Sequence, residues 1–111
     1  MNSIALETQD QLEDIKSFQG YSIIFKHNTT CPISKNTRAD FEKKANLLPN
    51  ETNVYFLDLL TYRDISNSIA EKFDVKHESP QLLVIKNGEC KFHQSLYDIS
   101  AEDAAQAISS N

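Results

Sequence analysis

The chain holds two cysteines, Cys31 and Cys90, and their settings differ. Cys31 lies after the strand-like run Tyr21-Ser22-Ile23-Ile24-Phe25-Lys26-His27 and the loop Asn28-Thr29-Thr30, and directly before Pro32. Proline suits the first position of a helix, because its missing N–H would be unpaired there anyway. The spacing therefore puts Cys31 between a strand and a helix N-terminus. Unpaired N–H groups and a partial charge of about +0.5 at that end favour a thiolate over a thiol. Lys26, His27, Lys35 and Arg38 are close in sequence and are candidates for further electrostatic support.

A magnitude indicates what such a sulfur is for. A thiol acidified from ~8.5 to ~6 gains roughly thirtyfold in thiolate at pH 7. Its intrinsic nucleophilicity falls roughly tenfold over the same change. The net gain in attack is only a few-fold. The larger benefit comes when the same sulfur must leave a mixed disulfide, since an acidic thiol leaves faster. The placement favours a cysteine that accepts a thiol adduct and then releases it.

The motif continues as Cys31-Pro32-Ile33-Ser34. A dithiol oxidoreductase carries its second cysteine at the position of Ser34. Serine cannot close an internal disulfide, although its hydroxyl can hydrogen-bond the Cys31 thiolate. The chemistry is then monothiol, and an external thiol must resolve the intermediate. Cys90 is not expected to do so. The six residues of the strand 81–86 run away from the Cys31 end at ~3.3 Å each, which places Cys90 about 20 Å off. A disulfide needs Cα atoms within ~7 Å. The histidines are scattered and form no metal set; His27 and His93 read as water-facing strand residues, and His77 as a residue at the rim of the site.

The elements that must hold this arrangement alternate in type. Residues 3–6 alternate apolar and polar, as in a short strand. Thr8 is a plausible N-cap, with Leu12, Ile15 and Phe18 near one helical face behind it. Residues 21–27 form a buried strand. Ile33, Thr37, Phe41, Ala45 and Leu48 give an amphipathic helix that ends at Pro49. Residues 53–60 form the next strand, and Thr61 caps a helix with Ile65, Ile69 and Phe73 on its apolar face. Residues 81–86 and 89–95 pair as a hairpin around Asn87-Gly88, both of which tolerate φ > 0. Ser100 caps a last helix with Ala101, Ala104, Ala105 and Ile108 turned inward.

This order predicts an α/β protein: one mixed sheet of four to five strands with helices on both faces. It is the thioredoxin-like layout, and one such domain accounts for residues 1–111. In that layout a cis proline faces the active cysteine, and Pro80, after Ser79, is in the position to be it.

Composition agrees with a globular domain of this size. Sixteen acidic and 11 basic residues give a net charge of −5, with 40% hydrophobic residues and only 2 Gly and 3 Pro. The acidic balance argues against nonspecific nucleic-acid binding. No run approaches the ~20 apolar residues of a membrane span, and the first ten residues do not read as a secretory signal. Two cysteines with no zinc spacing point to a reducing cytoplasm rather than a disulfide scaffold.

The stretch Lys26-His27-Asn28-Thr29-Thr30-Cys31-Pro32-Ile33-Ser34, followed by Val75-Lys76-His77-Glu78-Ser79-Pro80-Gln81, resembles the monothiol bacilliredoxins, the YtxJ-like proteins of bacillithiol-using bacteria. The stretch from Arg63 through Ser66-Asn67 to Ala70-Glu71-Lys72-Phe73 is similar too. The resemblance covers essentially the whole chain, and Asn28 and Leu96 depart from it, where Ser and His are expected.

The resemblance implies a cytoplasmic thiol–disulfide oxidoreductase that removes bacillithiol from protein mixed disulfides. Cys31 would be the nucleophile and Pro80 the facing cis proline. Ser79 would offer its backbone to the adduct, with Thr30, Pro32 and Ser34 as support. Bacillithiol would be the co-substrate and bacillithiylated proteins the partners, with no tightly bound cofactor and no metal. A monomer is the simplest expectation. The alternative from another class is a binding module without turnover, either a redox sensor or an iron–sulfur holder anchored at Cys31.

Overall fold

A computed structural model describes residues 1–110. Five strands, β1 (Asn2–Ala5), β2 (Tyr21–His27), β3 (Asn53–Asp58), β4 (Gln81–Lys86) and β5 (Glu89–Ser95), form one sheet in the order β1-β3-β2-β4-β5. β1 and β2 flank β3 in parallel, while β4 runs antiparallel to both β2 and β5. The parallel pairs need crossovers, supplied by α1 (Gln9–Ser17) and α2 (Pro32–Lys43). The expected mixed sheet is therefore present, with β2 at its centre.

Alternation along β2 sorts the core into two layers. Ile24 belongs to a cluster with Leu12 and Ile15 of α1, and with Ile65, Ile69 and Phe73 of α3 (Arg63–Phe73). Ile23 and Phe25 point the other way. They pack with Phe41 of α2 and with Ala101, Ala104 and Ile108 of α4 (Ala101–Ser109). Phe25, Phe41 and Phe56 form a ring cluster with centroids 5.3–6.4 Å apart. Each such fully buried side chain contributes about 1.5–3 kcal/mol of transfer free energy.

Local signals set most of the boundaries. Thr8 caps α1 through a complete capping box with Gln11, and Ser100 caps α4 by accepting from Asp103 N–H. Asn87 and Gly88 both take positive φ, 54° and 77°, which closes the β4–β5 hairpin.

Some expectations fail at the ends of elements. α2 stops at Lys43, and a 3₁₀ turn, Ala45–Leu47, completes the approach to Pro49. β3 stops at Asp58, and Thr61 does not cap α3. Asp58 draws in the Thr61 hydroxyl at 2.7 Å and the Leu60 N–H at 3.3 Å, so the N-cap falls to Tyr62. Phe18 lies past the end of α1 and is exposed.

Candidate active site

The central strand β2 delivers its last two side chains to opposite faces of the sheet. Lys26 follows Ile24 onto the α1/α3 face and His27 follows Phe25 onto the α2/α4 face. The chain then turns through residues 28–30 and enters α2 with Cys31 as its N-cap and Pro32 at its start. The first helical hydrogen bond runs from Lys35 N–H to the Cys31 carbonyl, at 3.1 Å.

Asn28 holds this turn together. Its side-chain Oδ1 accepts from the Thr30 N–H at 2.9 Å and from the Thr30 hydroxyl at 2.8 Å. Its carbonyl accepts from Cys31 N–H at 3.2 Å. Its own N–H donates to the hydroxyl of Ser34 at 2.8 Å. Ser34, fully buried, thus turns its oxygen to the loop backbone, and no bond to the Cys31 sulfur is formed. The expected Ser34–Cys31 hydrogen bond is thus not made; the half-buried Asn28 N–H takes Ser34 Oγ as its acceptor instead. The Cys31 sulfur, half-buried, makes no capping hydrogen bond to α2.

The Ser79–Pro80 peptide bond is cis, as the layout requires. Pro80 is buried, and its carbonyl accepts from Leu96 N–H at 2.9 Å. Gln81 begins β4 opposite Lys26 and fastens the segment before it, donating from Nε2 to the Lys76 carbonyl at 2.9 Å. Ser95 does the same from β5, donating to Glu78 at 3.0 Å. Ser79 is half-buried, while Thr30 and Pro32 are exposed.

The basic residues divide. Lys26 is fully buried, and its Nζ lies 2.9 Å from His77 Nδ1, with Ser66 Oγ 3.4 Å from the same nitrogen. Burial pushes the Lys26 ammonium down from 10.5 to about 8, against the attraction of Glu78. Burial also lowers His77, helped by the charges of Lys26 and Arg63. Strand alternation puts the Lys26 side chain on the sheet face opposite α2, where its Nζ is taken up by His77.

His27 is not the water-facing residue anticipated. It is buried, and its Nε2 lies 2.9 Å from Arg38 Nη1. Burial lowers its pKa, and the Arg38 charge lowers it further. His93 is exposed, as expected, and Lys35 stands exposed on α2. Sequence reasoning missed the anchoring by Asn28 and the Arg38–His27 contact. The second had a visible signal, since Cys31, Ser34, Lys35 and Arg38 have the i, i+3, i+4, i+7 spacing of one helical stripe.

Cys90 is on β5 opposite Ile85, four register steps from the Gln81 end of β4, or about 13 Å along the sheet. Its thiol donates to the Phe92 carbonyl at 3.4 Å, and burial pushes its pKa up. Both cysteines are free thiols.

The arrangement presents one sulfur at a helix start, a serine where a resolving thiol would stand, and a cis proline just before β4. The family model of the monothiol bacilliredoxin BrxC matches residues 4–104. The chain belongs to that family. Among solved structures, this bacilliredoxin is similar to one described as a candidate oxidoreductase with a thioredoxin fold. The two are 38% identical over 95% of this chain and 92% of the other, with a TM-score of 0.83. Thioredoxins from Malassezia sympodialis and Fasciola hepatica share the fold at 18% and 19% identity. The first has a TM-score of 0.70 over 99% of this chain and 90% of its own, the second 0.68 over 96% and 97%. The bacilliredoxin thus has a thioredoxin fold and belongs among the thiol oxidoreductases. Among its described residues no helix is long and apolar enough to cross a membrane.

Proposed function

We propose that this protein is a monothiol oxidoreductase that removes bacillithiol from protein mixed disulfides in the cytoplasm, with Cys31 as the nucleophile. The observation that carries this reading is the isolation of the Cys31 sulfur. Ser34 stands where a second thiol would be and is tied to Asn28. Cys90 lies on β5, opposite Ile85.

The Cys31 thiolate attacks the bacillithiol sulfur of the mixed disulfide. The new bond joins Cys31 to bacillithiol, and the bond to the target protein breaks. The target leaves as a thiolate and takes a proton from water. A second bacillithiol, as thiolate, then attacks the bacillithiol sulfur of the adduct. This releases bacillithiol disulfide and restores the Cys31 thiolate. Overall one disulfide is exchanged for another: the target sulfur is reduced to the thiol level and the incoming bacillithiol is oxidised to the disulfide level, so the balance needs no bound cofactor.

An anionic sulfur, attacking or leaving, is favoured at a helix N-terminus. The backbone ahead of Pro80 is the natural place for the adduct to pair. Bacillithiylated proteins and bacillithiol are the partners of this reading, with the protein acting as a monomer.

The test is intact-mass spectrometry after mixing with a bacillithiylated protein. One bacillithiol should transfer to Cys31, be released by excess bacillithiol, and be absent in Cys31→Ala. No transfer to the parent protein overturns the reading.

A further inference from the structure

The stripe that begins at Cys31 runs into a cavity. Ser34, Lys35 and Arg38 of α2 line it from one side, His27 and Thr29 from the other, and Glu42 closes the far end; its volume is about 190 Å³. In a chain of net charge −5 the cations at this wall are a local exception. Lys35 makes no side-chain hydrogen bond or ion pair among the described residues. Arg38 commits Nε to Glu42 at 3.1 Å and Nη1 to His27 at 2.9 Å, and its plane rests 4.2 Å from the centroid of Phe56. Those three contacts fix the guanidinium and leave Nη2 without a partner among the described residues. A guanidinium held in place and an uncommitted ammonium beside one cavity suit a carboxylate.

The distance selects the ligand. At about 1.5 Å per residue, Lys35 stands about 6 Å and Arg38 about 10 Å along the helix axis from Cys31. Bacillithiol is a cysteinyl-glucosaminyl malate. Roughly nine covalent bonds separate its sulfur from the nearer malate carboxylate, an extended reach of about 10 Å. We propose that the cavity between α2 and the 28–30 turn binds the malate carboxylates of bacillithiol while its sulfur is bonded to Cys31, with Lys35 and Arg38 as the donors. This rests on the reading that Cys31 carries a bacillithiol adduct, and it adds a basis for choosing that thiol over others. Glu42 opposes an anion only at the far end, about 16 Å from Cys31 along the axis, and its charge is shared with Arg38 Nε.

The experiment compares one target protein carrying either bacillithiol or its malate-free cysteinyl-glucosamine fragment, as the methyl glycoside. The readout is the ratio of kcat/KM for the two forms, because a general loss of structure lowers both and leaves the ratio in place. The parent should prefer the malate form by about tenfold, the size of one or two charge-assisted contacts. Lys35→Glu should bring the ratio below about threefold, and Arg38→Gln should reduce it as well. Raising ionic strength from about 0.01 M to about 0.5 M should reduce the parent's ratio, since an exposed cation is screened.

A parent ratio near one, or a ratio that survives Lys35→Glu, overturns the carboxylate site while turnover itself stands. Failure of the parent to take either thiol onto Cys31 overturns the proposed function, and this site with it.

Discussion

Nη1 of Arg38 donates a hydrogen bond to Nε2 of His27 at 2.9 Å. Arginine has only donors, so Nε2 must be the accepting nitrogen and the His27 proton must sit on Nδ1. This fixes the tautomer at the end of the central strand. It also means that protonating His27 removes the acceptor and sets two cations against each other beside the 28–30 turn.

That contact makes stability depend on acid. His27 has its pKa lowered in the folded state, by burial and by Arg38, so folding favours the neutral ring. The stabilisation is complete above the unfolded value of about 6.5, declines as pH falls below it, and is fully lost below the lowered folded value. His77 follows the same direction. Urea midpoints measured from pH 7.5 down to about 4.5 should fall more steeply for the parent than for His27→Gln, in which only His77 retains the effect. Equal slopes would show that His27 titrates alike in both states.

The other strand-end residue gives a prediction at the opposite end of the pH scale. Lys26 is fully buried and has its pKa lowered to about 8 from 10.5. Folding therefore disfavours the ammonium. The contribution is complete above 10.5, is lost as pH falls from there to about 8, and is absent at pH 7. At 1.36 kcal/mol per unit, the change across that window is about 3 kcal/mol. Lys26→Met removes the titration and keeps the bulk of the side chain. The stability of the parent should rise relative to Lys26→Met between pH 8 and 10.5, followed by chemical denaturation. A constant difference would mean that the ammonium is fully solvated through its link to His77.

These two neighbours mark where the sequence stopped being legible. The Thr8 capping box, the Ser100 cap, the Asn87-Gly88 hairpin and the Cys31-Pro32 helix start all follow from interactions within a few residues. Lys26 and His27 follow from partners elsewhere. The run Tyr21-Ser22-Ile23-Ile24-Phe25 identifies a buried strand, and strand alternation sends the next two residues to opposite faces. Burial of Lys26 depends on His77, 51 residues away, and burial of His27 on Arg38 in the following helix. Nearness to Cys31 in sequence suggested a common electrostatic role, and the pleat of the strand separates them. Thr61 failed as a cap for a related reason: Asp58 is near enough to compete for its hydroxyl.

Cys90 supplies a control for the monothiol account. Burial pushes its pKa up, and its thiol is already given to the Phe92 carbonyl. A protonated, half-buried thiol reacts slowly. With iodoacetamide at pH 7, peptide mapping should find Cys31 alkylated at least about tenfold faster than Cys90. Cys90→Ser should retain turnover with bacillithiylated substrate. Loss of turnover in a folded Cys90→Ser protein would give Cys90 a part in resolving the adduct.

Ser34 is the residue on which loop geometry and chemistry meet. Its hydroxyl is fully buried and accepts the Asn28 N–H at 2.8 Å. Ser34→Ala leaves that backbone N–H without its acceptor, which costs about 1–3 kcal/mol. The same loss frees the 28–30 turn, so the rate of adduct formation at Cys31 should fall while the chemistry remains monothiol. Ser34→Cys differs in kind. A thiol three residues into the helix, on the stripe that begins at Cys31, is placed to close a ring with it. That variant should form an internal disulfide and release the bacillithiol adduct without a second bacillithiol. Intact mass after one turnover separates the cases: Ser34→Ala should retain a bound bacillithiol, and Ser34→Cys should show the loss of two hydrogens and no adduct. A stable adduct on Ser34→Cys would mean that the start of α2 does not bring a thiol at position 34 within bonding reach of Cys31.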